Sequence, residues 1–237
     1  MSSATQSCKM NKIKFAILLL LLSFSLTGFA QEKKEIDFGS SLSFELQKDI
    51  TRQITLTAEE EVRIITNNNH GFERSTTTFG ADYSIIPKQL KIGFDYGFMY
   101  RYNSDYYYEV RHRPSVLLSY KQSFGDYTIS WRGRFQGTFR DESRGEYKIN
   151  PKYVVRNKID IEYTIFGSPW TPYISADLSY TTNDPMGNEL YRIRWQGGTT
   201  WRINRTDYMK FFLRYDQNLS LKDPDIISLG VGYQIKL

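Results

Sequence analysis

Residues 90–102 read Leu-Lys-Ile-Gly-Phe-Asp-Tyr-Gly-Phe-Met-Tyr-Arg-Tyr, and every second side chain, beginning with Leu90, is apolar or aromatic. A period of two is typical of a β-strand that has one apolar and one polar face. Strands of soluble sandwiches usually have about five or six residues, whereas a strand that crosses a membrane at a tilt needs about ten. The stretch therefore predicts a long strand whose apolar face requires an apolar environment.

The same alternation recurs along the rest of the chain, and no segment after residue 39 has a convincing helical period. Eleven segments alternate in this way: 40–48, 53–64, 76–86, 90–102, 110–121, 127–140, 152–165, 172–182, 191–202, 209–219 and 227–237. Short connections at 87–89, 122–126 and 203–206 alternate with longer polar ones at 66–75, 103–108, 141–150 and 183–188. Aromatic residues gather near segment ends, among them Trp170, Tyr173 and Trp201. These features together predict an all-β fold, an antiparallel transmembrane β-barrel of the outer-membrane type.

The count of strands has two possible values. Single-chain bacterial barrels with both chain ends in the periplasm have an even number of strands. Eleven segments conflict with that rule. Either residues 40–48 are not a full strand, which leaves ten, or residues 31–38 supply a short additional one, which makes twelve.

The N-terminus has the features of an export signal. Lys9, Lys12 and Lys14 precede an apolar run, and Gly28-Phe29-Ala30 places small residues at the −3 and −1 positions of a cleavage site. The apolar run is about a dozen residues long, which is too short for a membrane anchor. We therefore expect residues 1–30 to be a signal peptide and residues 31–237 to form a single barrel domain in the bacterial outer membrane.

Removal of this segment changes the composition of the chain. The formal charge of +5 includes three lysines of the signal, so the mature chain carries only about +2. Its one cysteine, Cys8, is also lost, which excludes an intramolecular disulfide and a zinc site built on cysteine. The low charge, together with the separation of aromatic from arginine faces, argues against nucleic acid as a partner.

The C-terminal residues 230–237 read Gly-Val-Gly-Tyr-Gln-Ile-Lys-Leu, with apolar side chains alternating up to the last position. This ending resembles the assembly signal of Gram-negative outer-membrane barrels, with Gly232, Ile235 and Leu237 at the signal positions. Leu237 departs from the pattern, because an aromatic residue is commonest there. The resemblance implies that the barrel-assembly machinery inserts the chain among outer-membrane lipid and lipopolysaccharide.

A wider resemblance rests on this ending, on arginine-rich strands and on the run Glu-Glu-Glu-Val-Arg at 59–63. With these features the mature chain resembles a family of uncharacterised outer-membrane barrels, a domain of unknown function. The resemblance implies a fold and a location, and it implies no activity.

Assigning the polar faces to the lumen places more basic than acidic side chains inside the barrel. The basic set is Arg63, Lys91, Arg101, Arg111, Arg113, Lys121, Arg132, Arg134, Arg140, Lys152, Arg156, Lys158, Arg192, Arg194, Arg202, Lys210 and Arg214. The acidic set is Glu59, Glu61, Asp82, Asp95, Asp160, Glu162, Asp177 and Asp216. One interpretation is a small porin-like channel that favours anions, because rings of Arg and Lys attract them. The other is a plugged barrel, structural or interacting with lipopolysaccharide, in which arginines and carboxylates pair and fill the interior.

The densest cationic positions are Arg132 and Arg134, in WRGRFQG (131–137), and Arg192 and Arg194, in YRIRWQG (191–197). We interpret the two similar stretches as separate strands that meet the same requirement: aromatic side chains point outward and guanidinium groups point inward. These four arginines are the candidates for a constriction or for contact with a small anionic solute.

A lipid-modifying enzyme is a third hypothesis. His70 lies in a polar loop, while His112 shares an outward face with Val110, Val116 and Leu118, where a catalytic histidine of a lipid hydrolase could stand. Neighbouring strands offer no obvious outward serine as its partner. No cofactor or metal motif is present. We therefore predict no catalytic, cofactor or metal-binding residue and expect the protein not to be an enzyme.

Overall fold

The alternating segments form strands throughout the part of the chain that the computed structural model describes, residues 34–66, 71–102, 107–140, 149–185, 187–220 and 223–237. The eleven strands within those residues are β1 (Ile36–Asp49), β2 (Ile54–Ile65), β3 (Phe72–Ile86), β4 (Leu90–Tyr102), β5 (Tyr108–Phe124), β6 (Tyr127–Arg140), β7 (Lys152–Tyr163), β8 (Trp170–Thr181), β9 (Leu190–Arg202), β10 (Asp207–Asn218) and β11 (Asp225–Lys236). No helix among these residues is long and apolar enough to cross a membrane. The predicted signal peptide, its cleavage site and His70 lie outside the described residues.

The strands form one closed barrel, which confirms the predicted all-β barrel class. Each strand pairs antiparallel with its neighbour in the chain, and β1 closes the barrel by pairing in parallel with β11, from Ile36 opposite Asp225 to Gln47 opposite Lys236. The described residues form eleven strands, which lies within the predicted range of about ten to twelve, although neither of the two even counts is observed. Residues 40–48 belong to a full strand, and residues 36–38 lengthen that strand instead of forming another.

The parallel closure follows from the odd number of strands. In an antiparallel meander, strands one and eleven run in the same direction, so they can pair only in parallel. The connections after odd-numbered strands are mostly the shorter ones, such as 125–126, and those after even-numbered strands are mostly longer, such as 141–151; the connection 164–169 after β7 is an exception. We call the two ends of the barrel the short-turn end and the long-loop end. β1 begins at the long-loop end, and β11 finishes at the short-turn end.

The distribution of polar and apolar side chains is inverted relative to a soluble protein. Among the described residues, the buried apolar side chains are Met99, Leu117 and Val154, whereas the buried set is dominated by serine, threonine, arginine and acidic residues. Large apolar side chains such as Phe94 and Leu229 are exposed on the outside. Because side chains of a strand alternate between faces, the polar half of every segment lines the lumen.

Two β-bulges near the long-loop end interrupt the strict alternation, and a third register shift lies between Ser84 and Ile86, near the short-turn end. Between β2 and β3, Arg63 pairs with Arg74 and Ile64 with Phe72, so Glu73 is an extra residue that also lies in the lumen, 3.6 Å from Arg63. Between β8 and β9, Ser179 pairs with Arg192 and Tyr180 with Leu190, so that one residue of β9 has no partner in the register. An extra residue in one strand changes the direction in which the neighbouring side chains point. Both bulges lie near the long-loop end.

Outward aromatic side chains form stacked pairs at both ends of the barrel. Tyr100 and Tyr108 stack at the long-loop end with ring centroids 4.7 Å apart, and Trp170 and Trp201 stack at the short-turn end at 5.4 Å. Tyr173 is an exception to the predicted pattern. Its hydroxyl lies on the inner face and accepts a hydrogen bond of 2.7 Å from the side-chain amide of Gln196.

Candidate functional site

The lumen contains a cavity of about 280 Å³ that is lined by strands β2 to β7 and by β9. Its lining includes one lysine, Lys152, and only two acidic residues, Glu59 and Glu61. Nine arginines complete its charged lining: Arg74, Arg101, Arg111, Arg113, Arg134, Arg140, Arg156, Arg192 and Arg194. Most of these residues lie in the part of their strands that is close to the long-loop end. The cavity therefore occupies the half of the lumen next to the long loops. We call it the cationic cavity.

Small residues on neighbouring strands leave room for these long side chains. Gly97 pairs with Arg113, and Ser179 pairs with both Arg156 and Arg192. A Cβ atom added at Gly97 would lie only 3.5 Å from the Cβ of Arg113. Small inward residues beside large ones are the usual way in which the interior of a small barrel is filled.

Half of the cavity's ten cations have an acidic partner. Arg111 contacts Glu109 at 2.7 Å, Arg134 contacts Asp95 at 3.0 Å, and Arg74 lies 3.7 Å from Glu73. Arg156 forms an ion pair with Asp177, and Arg194 forms one with Asp216. Charge-assisted pairs of this kind hold a guanidinium group in a fixed orientation.

On one side of the lumen, arginines and acids form a compact group that we call the Asp216 cluster: Glu61, Arg63, Arg194, Arg214 and Asp216. Asp216 on β10 accepts hydrogen bonds from Arg194 on β9 and, at 2.9 Å, from Arg63 on β2. Arg214 donates to Glu61 at 3.0 Å. These bonds join β10 to β2 across the two intervening strands, so the cluster ties the barrel together at its closing seam.

The other five cations of the cavity have no ion pair among the described residues: Arg101, Arg113, Arg140, Lys152 and Arg192. Lys152 and Arg192 instead lie over the ring of Tyr191, at 4.7 and 5.6 Å from its centroid. Five cavity arginines also have a buried Nε atom without a hydrogen-bond partner in the described part of the chain: Arg74, Arg111, Arg113, Arg140 and Arg192. The cavity therefore presents N–H donors that the described protein atoms do not satisfy.

Three of the four arginines singled out by sequence line this cavity, and one does not. Arg134, Arg192 and Arg194 are lining residues. Arg132 lies one inward position closer to the short-turn end, opposite Ser119 and Lys158, and is exposed. Arg134, Arg192 and Arg194 thus line one cavity, and Arg132 lies outside its lining.

The sequence pattern missed two lining residues. Arg74 was absent from the predicted inward set, and Tyr191 was assigned to the outward face with Ile193 and Trp195. Arg74 follows the alternation of Thr76 and Thr78, but the sequence analysis places it in the connection 66–75 and not in a strand. Tyr191 is the extra residue of the bulge between β8 and β9, where the period of two fails, so its position becomes visible only from the pairing register.

The C-terminal residues of the predicted assembly signal lie in the closing strand. Gly232 pairs with Ser43 on one side and Lys210 on the other, and Ile235 pairs with Leu46 and Asp207. The Leu237 amide donates to the Gln47 carbonyl at 2.8 Å. Recognition of this strand by the assembly machinery stays a prediction.

His112 lies on the outward face, where the alternation placed it. Its Nδ1 atom is 2.6 Å from the Tyr96 hydroxyl, and its ring contacts the rings of Tyr96 and Phe98. In the described residues, no group of three or more His, Cys, Asp or Glu residues could hold a metal ion.

Comparison with curated proteins finds no match. A family model described as "Protein of unknown function (DUF2490)" matches residues 38–225, which covers most of the chain and nearly the whole barrel. The chain therefore belongs to this family of proteins of unknown function.

Proposed function

We propose that the protein is an outer-membrane β-barrel, exported with a cleaved signal peptide. Three features support this location: strands of 12 to 17 residues, an apolar exterior around a polar interior, and stacked aromatic residues at both ends. Glu60 is an outward acidic residue that departs from this apolar exterior, and its carboxylate accepts hydrogen bonds from the hydroxyls of Ser75 and Thr77. Cell fractionation tests the location, because a soluble periplasmic protein would contradict it.

Within that location, we propose a small porin-like channel whose lumen favours anions. The observation that carries this function is the cationic cavity, in which ten basic side chains face two acidic ones. Rings of Arg and Lys raise the local concentration of anions in a narrow pore. The effect is strong only where the pore is narrower than the Debye length, about 8 Å at physiological salt.

Planar-bilayer recording of the purified protein is the direct test. We expect single-channel conductance, and in a KCl gradient we expect chloride to carry more current than potassium. The preference should decrease as the salt concentration rises, because the Debye length falls to about 3 Å at 1 M. Cation preference would reject the proposal.

The plugged barrel is the second candidate, and the Asp216 cluster favours it. Two of its residues are among the most buried of the described part of the chain, with Asp216 1 % and Arg63 2 % exposed. Paired groups of this kind fill the lumen on the side of β10, β1 and β2. Absence of any conductance from correctly folded protein would support a plugged barrel, with a structural role or a role in contact with lipopolysaccharide.

A further inference from the structure

The cationic cavity differs from an ordinary charged surface, because several of its arginines have a buried Nε atom without a hydrogen-bond partner among the described residues. Arg113 is one of them, and its Nη2 atom lies 3.5 Å from the Met99 sulfur. Arg192 is another, and its guanidinium group lies over the Tyr191 ring. Burying a guanidinium group without a counter-charge is costly.

We infer that this cavity is a specific binding site for a soluble oxyanion that carries two or more negative charges, of the phosphate or carboxylate type. The inference deepens the proposed function and rests on its anion-favouring lumen. Five cations without acidic partners in the described chain match a multivalent ligand better than a single chloride ion. The planar fork of arginine fits two oxygens of a phosphate or carboxylate at once, which a spherical halide cannot use.

The size and polarity of the site agree with this class of ligand. Its volume of about 280 Å³ is at the lower limit of pockets that hold drug-sized molecules, which indicates a small solute. Lys152, Arg140 and Arg101 lie at or next to the long-loop ends of their strands, where a solute would enter, while Arg113 lies further along β5. Polar groups such as Thr138 and Gln136 also line the cavity and could bond further ligand oxygens.

Isothermal titration calorimetry of the detergent-solubilised, folded protein tests the inference, with pyrophosphate, citrate and chloride compared at equal ionic strength. We expect saturable binding of pyrophosphate or citrate and none of chloride. R113Q and R192Q should each weaken that binding about tenfold or more, because a hydrogen bond to a charged group is lost. R132Q is the matched control, since Arg132 faces the lumen but does not line the cavity, and it should leave the affinity nearly unchanged.

Gel mobility of unboiled samples shows whether each variant is folded. If one of them fails to fold, blockade of chloride current in the wild-type channel by pyrophosphate provides the second measurement. Equal weakening by R132Q, or no saturable binding of either oxyanion, would overturn the inference. Binding of lipopolysaccharide without binding of pyrophosphate or citrate would also overturn it, because the site would then take a lipid headgroup.

The outcome separates this inference from the proposed function. Chloride preference without oxyanion binding would leave the channel intact and remove the site. Oxyanion binding that depends on Arg113 and Arg192, in a barrel without conductance, would keep the site and remove the channel.

Discussion

The Asp216 cluster and the cationic cavity are built from the same kind of residue and differ in what surrounds it. In the cluster, Arg63 and Arg194 share one carboxylate, and Arg214 has Glu61. In the cavity, Arg113 and Arg192 have no acidic partner in the described chain. The two regions meet at Glu61 and Arg194, which belong to both.

This difference separates structural arginines from arginines that are available for a ligand. A paired guanidinium group has its charge and its donors satisfied by the protein, so its removal leaves a buried carboxylate unpaired. An unpaired guanidinium group can exchange water for a ligand, and its removal relieves repulsion from neighbouring cations. Residue type and position in the alternation are the same in both cases, so only the contacts distinguish them.

Deleting residues 232–237 should have the largest effect, because it removes both regions together. The deleted segment pairs with β1 and with β10, and without it the barrel cannot close. We expect the unboiled protein to lose the faster gel migration of a closed barrel. K236A, which keeps the backbone pairing and the outward side chains, is the control and should migrate like the wild type. If the unboiled deletion variant still migrated faster than the boiled one, the C-terminal residues of β11 would be dispensable for closure of the barrel.

Replacing Asp216 with Ala should destabilise the folded barrel by about 3–5 kcal/mol, because two buried arginines lose their shared partner. The free energy of unfolding can be measured by urea titration in lipid vesicles. The control is Glu162→Ala, which removes an ion pair whose side chains are 51 % and 40 % exposed, and which should cost less than about 1 kcal/mol. Similar losses for the two variants would show that the Asp216 cluster has no structural role.

Arg194 and Arg192 are consecutive inward residues of β9 and provide the closest matched pair. Arg194→Gln should lower the free energy of unfolding by about 1–3 kcal/mol, because Asp216 keeps only Arg63. Arg192→Gln should leave unfolding nearly unchanged and should reduce the preference for chloride over potassium. Urea titration and reversal potentials in a KCl gradient check both variants. The comparison fails if Arg192→Gln is the more destabilising change.

His112→Ala should have the smallest effect. The described contacts of His112 are with Tyr96 and Phe98, and neither is a serine or a carboxylate that could complete a catalytic set. We expect the acylation of phospholipid and lipopolysaccharide in cells to stay unchanged, as judged by mass spectrometry of extracted lipids. Acylation that depends on His112 would make the enzyme hypothesis the leading one.

The sequence by itself determined the strands and their two faces. All eleven alternating segments correspond to strands, with boundaries that agree within a few residues. Residues such as Arg113 and Arg192 are assigned to the inside because they occupy the polar positions of the alternation. This is possible because the pleat of a strand is a local property that turns successive side chains to opposite sides. Long alternation was therefore enough to predict the barrel.

Only the tertiary structure decided the closure, the bulges and the pairing of charges. The parallel contact of β1 with β11 joins the two ends of the barrel sequence, and Arg63 meets Asp216 across 153 positions of the chain. The bulge beside Arg63 turned Glu73 inward, where the alternation alone does not place it. Contacts of this kind depend on the register of strands far apart in sequence, and a local period has no information about that register. The division of one set of arginines into a paired cluster and a cationic cavity is decided at this level.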